Sequence, residues 1–326
     1  MTTIYLIRHG EAEGNVFRRF HGQYDSLLTP RGHRQVELVR KRFENIPIDA
    51  CYASDLTRTS LTARSVYQAK GLPLRRDPRF REIGIGVWED LPYAYLDVHD
   101  EKRMWEFNHD PTVWHVEGAE CFEEYTQRFI DGMTDAAEKW DGGSVAIFAH
   151  GAVIRCTLMR LFFWNRLEEL PYSDNTGVCK LMFDKGEFTY EFLNDNSHIP
   201  EELSTYYIQR WWRSTNNRKE AAVYFRNTDT LERPAILVDR PIGCVRLGGV
   251  EGAVGQVLAL ELDSAFAGRY YGDQLLGEAI SHFRKLGCRE IRLMGDTNPD
   301  DIVTRYGMDP VLRTYSIDTH HFDWGK

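Results

Sequence analysis

Two histidines directly follow short apolar segments and could carry out phosphoryl chemistry. His9 comes after residues 4–7 and Arg8, and His150 comes after residues 145–149. A phosphomonoester carries about two negative charges at neutral pH, and its cleavage needs cationic donors, a nucleophile and an acid for the leaving oxygen. A neutral imidazole can attack phosphorus, while an arginine and a second imidazole hold the oxygens. These residues could supply that chemistry without a metal ion.

The segments around these histidines predict an α/β fold. Residues 4–7, 49–53 and 145–148 are short runs of strand-forming residues, and helix-like segments alternate with them. One such helix begins at Thr29, a good N-cap, with proline at the next position. This alternation predicts a mostly parallel sheet covered on both faces, a three-layer α/β/α sandwich. Ligands bind at the carboxyl ends of strands in such sheets, so the two histidines are expected to meet over one substrate.

The middle of the chain predicts a loop, a lid and a terminal hairpin. Residues 79–89 contain too many glycines for a helix, and we expect a functional loop that leads into a helical lid at about residues 93–120. Residues 117–140 have the apolar spacing of a helix. Residues 178–184 and 188–193 have the pattern of a hairpin. A polar cluster that ends at Pro200 marks a boundary, so we expect two domains, residues 1–200 and 201–326.

The composition is that of an ordinary globular protein. The 326 residues include 49 acidic and 40 basic side chains, a formal charge of −9, which argues against nucleic-acid binding as the main function. The six cysteines are scattered, so neither a zinc site nor a disulfide framework is expected. No signal peptide and no apolar run of membrane-spanning length is evident. We therefore expect a cytoplasmic protein with no membrane or nucleic-acid partner.

Residues 1–200 contain five motifs in series. They are Leu6-Ile7-Arg8-His9-Gly10-Glu11 with Asn15, Gly22-Gln23-Tyr24-Asp25 with Leu28-Thr29-Pro30-Arg31-Gly32, Ala53-Ser54-Asp55-Leu56-Thr57-Arg58-Thr59, Glu82 with Gly86-Val87-Trp88-Glu89, and Ala149-His150-Gly151-Ala152-Val153-Ile154-Arg155. In this order they resemble the histidine phosphatase superfamily, also called phosphoglycerate mutase-like, and its phosphatase branch in particular. The resemblance implies the fold described above and a reaction that needs neither a metal nor a cofactor.

The resemblance also implies a role for each matching residue. His9 would be the nucleophile that becomes phosphohistidine, and Glu82 would be the general acid. The phosphate pocket would consist of Arg8, Asn15, the Gly22 backbone, Arg58, His150 and Gly151. Other notable side chains have no such support, and we expect His21, His33 and His198 to be structural or exposed, and Trp88, Trp105 and Trp114 to serve packing.

Three interpretations of the first domain stay open. The mutases of the superfamily carry a longer insertion after the acid, whereas this chain has Val87-Trp88-Glu89-Asp90-Leu91. This difference favours a phosphatase that uses water as the acceptor and acts on a small phosphorylated metabolite. The alternatives are phosphoryl transfer of the mutase type and a non-enzymatic sensor or scaffold. The complete set of catalytic residues favours an enzyme: His9, Arg8, Arg58, Glu82 and His150.

The second domain has a different order of elements. The sequence predicts a helix at residues 206–212, paired strands at 235–238 and 242–247, a strand at 255–262, a helix at 268–286 and a strand at 290–294. This order resembles the α+β fold of the GNAT acyltransferases. In that fold a helix N-terminus binds the pyrophosphate of acetyl-CoA through backbone amides. The resemblance implies such a site at Gly268, Arg269, Gly272 and Asp273.

The motif at this position has drifted from the family pattern. Residues 267–272 lie over arginine/glutamine-x-x-glycine-x-glycine, so that the leading cation and the middle glycine are missing. A register shifted by two recovers Arg269 and Gly272 but leaves Gln274 where a small residue belongs. Tyr270 would hinder close approach of a diphosphate to the backbone. Acetyl transfer, which would make the protein bifunctional, therefore competes with a degenerate ligand-binding fold and with a domain that only supplies a homodimer surface.

Overall fold

The computed structural model describes residues 1–164, 166–210, 218–295 and 301–320. The strands are β1 Thr2–Arg8, β2 Ala50–Ala53, β3 Leu74–Arg76, β4 Ser144–Ala149, β5 Val178–Asp184, β6 Glu187–Asp195, β7 Tyr224–Phe225, β8 Glu232–Leu237, β9 Arg240–Glu251, β10 Val254–Leu262, β11 Glu290–Leu293 and β12 Thr314–Ser316. The α-helices are α1 Glu13–Phe17, α2 Pro30–Phe43, α3 Thr57–Tyr67, α4 Tyr93–His99, α5 Glu101–His109, α6 Phe122–Lys139, α7 Gly151–Phe162, α8 Thr205–Ile208, α9 Tyr271–Lys285 and α10 Ile302–Arg305. Short 3-10 helices are Pro78–Phe80, Gly86–Trp88, Leu167–Glu169, Glu201–Leu203, Arg218–Glu220 and Ser264–Phe266.

The first sheet has six strands in the order β3-β2-β4-β1-β5-β6. Strands β1 to β4 run parallel to one another. Strands β5 and β6 add an antiparallel hairpin beside β1. The predicted α/β sheet with a terminal hairpin is therefore confirmed, and β1 and β4 are neighbours at its centre.

Both faces of this sheet are buried because successive side chains of a strand point to opposite faces. Ile4 and Leu6 of β1 pack into the core that includes α6 and α7. Tyr5 and Ile7 pack into the core that includes α2 and α3. Helices thus cover the sheet on both sides, which confirms the three-layer α/β/α sandwich.

The helix before β4 is shorter than the sequence predicts. The apolar spacing predicts a helix over residues 117–140, but α6 begins only at Phe122. Gly118 has a positive φ of 73°, and Glu120 N donates to Gly84 O at 2.8 Å. Residues 117–121 therefore pair with the loop that carries Glu82, and this pairing excludes them from the helix. In the region predicted as a helical lid, residues 93–120, the α-helices are α4 and α5, which end at His109. Its role as a lid stays a prediction.

The second sheet has six strands in the order β12-β11-β10-β9-β8-β7. Strands β7 to β10 are antiparallel, whereas β11 is parallel to β10 because α9 forms the crossover between them. Strand β12 pairs antiparallel with β11. The apolar residues Leu275, Leu276, Ile280 and Phe283 of α9 pack into the core of this sheet. The α+β fold predicted for the second domain is confirmed.

Two helices of the second domain differ in length from the prediction. The sequence predicts residues 268–286, but α9 spans Tyr271–Lys285, because Gly268 and Tyr270 have positive φ angles of 76° and 60°. Helix α8 covers the beginning of the predicted helix 206–212, and residues 211 and 212 lie outside the described residues. The predicted boundary near residue 200 lies between Asp195, where the first sheet ends, and Tyr224, where the second begins. In the described ranges we find no helix with both the length and the hydropathy of a transmembrane span.

Candidate active site

The two histidines lie at the same edge of the first sheet because their strands are parallel neighbours. Arg8 at the end of β1 is in register with Ala149 at the end of β4. The next residues, His9 and His150, therefore leave the sheet side by side. The centroids of their rings are 5.2 Å apart, and both side chains are buried. The structure thus brings the two imidazoles together at the carboxyl ends of the strands.

Each imidazole has its Nδ1 atom fixed by a different neighbour. His9 Nδ1 lies 2.7 Å from Gly10 O, and because a carbonyl only accepts, Nδ1 carries the proton and Nε2 keeps a lone pair. His150 Nδ1 accepts from Arg58 Nε at 3.2 Å, so its proton is on Nε2. This Nε2 atom is buried and has no hydrogen-bond partner among the described residues. The first ring can therefore act as a nucleophile and the second as a donor.

Arg58, near the start of α3, connects His150 to the loop 21–24. Its Nη1 donates to Tyr24 O at 2.9 Å. Its Nη2 donates to Gly22 O at 2.7 Å and to His21 O at 3.3 Å. Together with the bond to His150, these contacts use four of the five N–H groups of the guanidinium. Arg58 thus connects His150 to the loop 21–24, and its fifth N–H group can donate to a ligand.

Arg8 is the cation with more donors left for a ligand. Its Nη1 donates to Ser173 O at 2.8 Å, and its buried Nε has no partner within the described part of the chain. Its guanidinium packs against the N-terminus of α7, where a Cβ added at Gly151 would lie 2.9 Å from Arg8 Nε. Only glycine leaves this space. The Gly151 amide at the start of α7 can attract an anion, so it and Arg8 can act on the same phosphoryl group.

Asn15 on α1 also lines the cavity in front of the histidines. Its Oδ1 accepts from Ala12 N at 2.9 Å and from Asn175 Nδ2 at 3.2 Å. Asn175 Nδ2 also donates to His9 O at 3.1 Å. Because Oδ1 is used as the acceptor, the amide group of Asn15 is oriented and its Nδ2 can serve as a donor.

Glu89 fixes the loop at Gly22 by accepting hydrogen bonds from its backbone amides. A Cβ at Gly22 would lie 2.5 Å from Glu89 Oε1 and 2.5 Å from Ile83 O. Glu89 accepts from Gln23 N at 2.7 Å and from Tyr24 N at 2.9 Å, and burial raises its pKa. Sequence reasoning did not find this role of Glu89, because its partners are backbone amides far away in the chain.

Glu82 lies at the N-terminus of α7 and lines the same cavity as His9. Its Oε2 accepts from Ala152 N at 3.0 Å and its Oε1 from Val153 N at 2.7 Å. Arg128 Nη2 donates to Glu82 O at 2.9 Å, and Arg128 pairs with Glu120 at 2.6 Å. This pair, which sequence reasoning also missed, fixes the loop that carries the Glu82 carboxyl group.

The electrostatics of the site favour an anion. Burial, reinforced by the Arg58 cation, lowers the pKa of His9 and of His150 well below the usual value. Both rings are therefore neutral at neutral pH. Burial also lowers the pKa of Arg58, but an arginine stays charged in proteins. Arg8 and Arg58 thus place two cations next to the histidines, and a phosphate group would compensate their charge.

The cavity has a volume of about 410 Å³, within the usual range of small-molecule sites. Beyond the histidines, its wall is mostly apolar and aromatic: Phe20, Ile85, Tyr93, Phe107, Ile154, Leu167, Leu170 and Tyr172. Arg155 adds a cation to this wall. Its Nη2 lies 3.4 Å from Phe107 O and from Asn108 O, and its buried Nε has no partner in the described ranges. Such a wall suits the organic part of a phosphorylated molecule.

One histidine that was expected to be structural or exposed lines this cavity. The His21 ring is buried, and its Nε2 lies 3.4 Å from Asp90 Oδ1. No motif in the sequence indicates that His21 lies at this cavity. The other side chains of that group do not line the cavity: His33, His198, Trp88, Trp105 and Trp114.

Residues 4–196 match the family model of the histidine phosphatase superfamily (branch 1). The chain belongs to the histidine phosphatase superfamily. A Yersinia pestis relative with the name Probable phosphoglycerate mutase GpmB is 34% identical over 161 residues, which are 49% of this chain and 75% of the relative. The family therefore supports phosphoryl transfer of the phosphatase or mutase type.

Two solved structures have a fold similar to that of the first domain. Bacillus stearothermophilus YhfR is 30% identical with a TM-score of 0.58, over 61% of this chain and 99% of that one. A mycobacterial glucosyl-3-phosphoglycerate phosphatase in complex with VO3 is 23% identical with a TM-score of 0.55, over 60% of this chain and 99% of that one. The second likeness shows the fold alone.

Residues 187–304 match the family model of the GNAT acetyltransferases. Of the residues predicted to bind acyl-CoA, Gly268 and Arg269 are exposed in the turn before α9, whereas Gly272 and Asp273 are buried in its first turn. The Asp273 carboxylate accepts from Arg305 Nη1 at 2.5 Å and from the Tyr306 hydroxyl at 2.7 Å. A second negative group would therefore meet a buried carboxylate at this helix N-terminus.

The same turn is also covered by the chain that precedes the second sheet. The Tyr271 hydroxyl donates to Glu220 O at 2.6 Å. Gln274 Oε1 accepts from Val223 N at 2.8 Å, and Gln274 Nε2 donates to Ala221 O. This arrangement does not fit a diphosphate well. The acyl-CoA site at Gly268, Arg269, Gly272 and Asp273 stays a prediction, against which this geometry argues.

In the described ranges, no group of three or more side chains drawn from histidine, cysteine, aspartate and glutamate is arranged so that it could hold a metal ion. All six cysteines are free thiols. That the reaction needs no metal remains a prediction from the family resemblance.

Proposed function

We propose that the first domain hydrolyses the phosphomonoester of a small metabolite, without a metal, through a phosphohistidine on His9. One observation carries the proposal. His9 keeps a lone pair at Nε2, while His150, whose ring centroid is 5.2 Å away, keeps a proton at its own Nε2. The nucleophile lines the cavity together with Arg8, and the buried donor lies beside it. Arginine cations of this kind stabilise the charge of a phosphoryl group in transfer.

In the first half of the reaction, His9 Nε2 attacks phosphorus and the bond to the leaving oxygen breaks. Arg8, the Nε2–H of His150, the Gly151 amide and Asn15 Nδ2 hold the phosphoryl oxygens. Glu82 enters this step in its protonated form and gives its proton to the leaving oxygen, so that an alcohol departs and phospho-His9 remains.

In the second half, water replaces the alcohol. The Glu82 carboxylate accepts a proton from the water as its oxygen attacks phosphorus, and the bond between phosphorus and His9 Nε2 breaks. The products are inorganic phosphate, His9 with its lone pair restored, and protonated Glu82. The apolar and aromatic wall beyond the histidines supports a substrate with an organic part of modest size.

Trapping of the intermediate tests the proposal. The protein is mixed with p-nitrophenyl phosphate in the presence of EDTA, quenched in alkali and analysed by mass spectrometry for phosphate on His9. We expect phospho-His9 and release of phosphate, and neither product with His9→Ala. His33→Ala, an exposed histidine of α2, is the control and should retain full turnover. Turnover by His9→Ala equal to that of the unchanged protein would show the mechanism to be wrong.

Mutase-type transfer is the second candidate, because the Yersinia pestis relative carries a phosphoglycerate mutase name. A mutase returns the phosphoryl group of phospho-His9 to another hydroxyl of the same substrate instead of to water. Incubation with 3-phosphoglycerate separates the two functions. Release of phosphate with no 2-phosphoglycerate supports the phosphatase, whereas 2-phosphoglycerate formed faster than phosphate supports the mutase.

A further inference from the structure

The second domain contacts the phosphoryl site through residues 13–24, the segment that carries Asn15 and Gly22. Its first part, α1, packs against α9 of the second domain. A Cβ added at Gly277 of α9 would lie 2.4 Å from the Cβ of Phe17. Val16 and Phe17 belong to the hydrophobic core of the second domain. The short helix that carries Asn15 is therefore anchored in the other domain.

Arg284 of α9 makes a second connection to this segment. Its Nη1 and Nη2 donate to the Glu13 carboxylate at 2.9 and 3.1 Å, and Glu13 is 0% exposed. The guanidinium also lies 5.8 Å from the ring centroid of Tyr24, whose carbonyl accepts from Arg58. A buried carboxylate is strongly destabilising without its cation, so residues 13–24 depend on Arg284 for their conformation.

Arg19 is a third connection, and both domains bind it. It lines the cavity, and its Nε pairs with Asp90 at 2.7 Å. From α9, Glu278 accepts from its Nη1 at 2.8 Å and Ser281 accepts from its Nη2 at 3.0 Å. Asp90 lies 3.4 Å from the ring of His21. The beginning, middle and end of residues 13–24 are thus all held, directly or through one neighbour, by α9.

We propose that α9 of the second domain is a positioning element of the phosphoryl site, and that Arg284 and Glu278 act through residues 13–24. This inference rests on the proposed function of the first domain. The groups that α9 holds in place bind phosphate, whereas His9 and Glu82 lie on other segments. Loosening the contact should therefore weaken phosphate binding more than it slows the chemical step.

A contact that only holds the two domains together would behave differently. Its loss would lower the thermal midpoint of unfolding but leave the affinity of the folded protein for an oxyanion unchanged. The ratio of oxyanion affinities between variant and unchanged protein therefore distinguishes the two roles.

The test uses the full-length chain and orthovanadate as the oxyanion. Arg284→Gln removes the positive charge that pairs with the Glu13 carboxylate, whereas Arg284→Lys keeps a positive charge at this position. Arg246→Gln is the matched control, because Arg246 pairs with Glu261 on the exposed surface of the same domain. The measurements are the vanadate dissociation constant by calorimetry, kcat and KM for p-nitrophenyl phosphate, and the thermal midpoint.

Arg284→Gln is expected to weaken vanadate binding about tenfold, the loss expected for one charge-assisted hydrogen bond. KM should rise by a similar factor, while kcat changes less. Arg284→Lys should restore part of the affinity, and Arg246→Gln should behave like the unchanged protein. Unchanged vanadate affinity in folded Arg284→Gln would overturn the inference, even with a lower thermal midpoint.

Glu278→Gln provides the second variant if Arg284→Gln does not fold. It removes the negative charge that pairs with Arg19, at a partly exposed position. The same measurements apply: weaker vanadate binding supports the inference, and unchanged vanadate affinity in the folded variant overturns it. Failure of the proposed function is a separate result. A protein that binds vanadate but releases no phosphate from any phosphomonoester lacks that function, whereas the ratio of vanadate affinities still tests the role of α9.

Discussion

Replacement of Arg58 by alanine should damage the site more than the loss of one phosphate contact would. Arg58 donates to His150 Nδ1 and to the carbonyl groups of His21, Gly22 and Tyr24. Without it, His150 is free to adopt its other tautomer, with no proton on Nε2. The carbonyl groups of Gly22 and Tyr24 lose their side-chain donor, so the loop 21–24 loses its connection to α3.

The magnitude follows from these contacts. Removal of one preorganised donor costs about 3–4 kcal/mol in the barrier, or about 10²–10³ in kcat. Each buried carbonyl without its donor costs about 1–3 kcal/mol of unfolding free energy. We therefore expect kcat/KM of Arg58→Ala to fall by about 10³ and its unfolding free energy by at least about 2 kcal/mol. Arg58→Lys keeps the charge but cannot reach all partners from one nitrogen, so it should recover only part of the activity.

Three measurements check this prediction. Hydrolysis of p-nitrophenyl phosphate gives kcat and KM, denaturant titration gives the unfolding free energy, and nitrogen NMR of the His150 ring reports its tautomer. Arg64→Lys, on the same helix α3, is the control and should leave all three unchanged. A loss of less than about tenfold in kcat/KM, with the His150 tautomer unchanged, would refute the reasoning.

Further predictions concern binding, selectivity and pH. Gly151→Ala should weaken vanadate binding in calorimetry by about tenfold or more, since the new Cβ would lie 2.9 Å from Arg8 Nε. Arg155→Ala should lower kcat/KM for phosphomonoesters with a second anionic group more than for p-nitrophenyl phosphate, and an equal loss for both would contradict this role. Burial, with the Arg58 cation, lowers the folded-state pKa of His9 and His150, so the unfolded chain binds more protons below about pH 6.5. The histidines therefore do not lower the free energy of unfolding above this pH. Below it, the free energy of unfolding decreases by up to about 1.4 kcal/mol for each pH unit and each histidine. Denaturant titrations at several pH values should show that the unfolding free energy of His9→Ala depends less steeply on pH than that of the unchanged protein.

The sequence contained enough information to place His9 and His150 at one site. Each follows a strand whose residues are buried on both faces, and parallel neighbours end at the same edge of a sheet. Arg58 could be added only through the family motif, because nothing local indicates that a guanidinium at the start of a helix turns towards a loop more than thirty residues earlier in the chain.

The supporting charges could not be predicted in this way. Glu89, Glu120 and Arg128 look like ordinary surface charges, since each has a partner among backbone groups that are distant in sequence. The late start of α6, at Phe122 instead of residue 117, has the same cause. Its apolar spacing is helical, but pairing of Glu120 with Gly84 determines where α6 begins. Non-local contacts override local periodicity here, next to the loop of Glu82.

Glu13 and Asp90 show why the two domains have to be considered together. Glu13 lies in the first turn of α1, where a carboxylate is favourable, yet it is completely buried against Arg284. Burial alone would raise the pKa of Asp90, but the contact with His21 and the Arg19 cation hold it far below its usual range. The Asp90 carboxylate therefore stays charged, and the buried Glu13 carboxylate is paired with the Arg284 guanidinium. A buried charge without its partner is strongly destabilising. Every group proposed to touch the phosphate belongs to the first domain, but the segment that carries Asn15 is native only where α9 supplies the opposite charges.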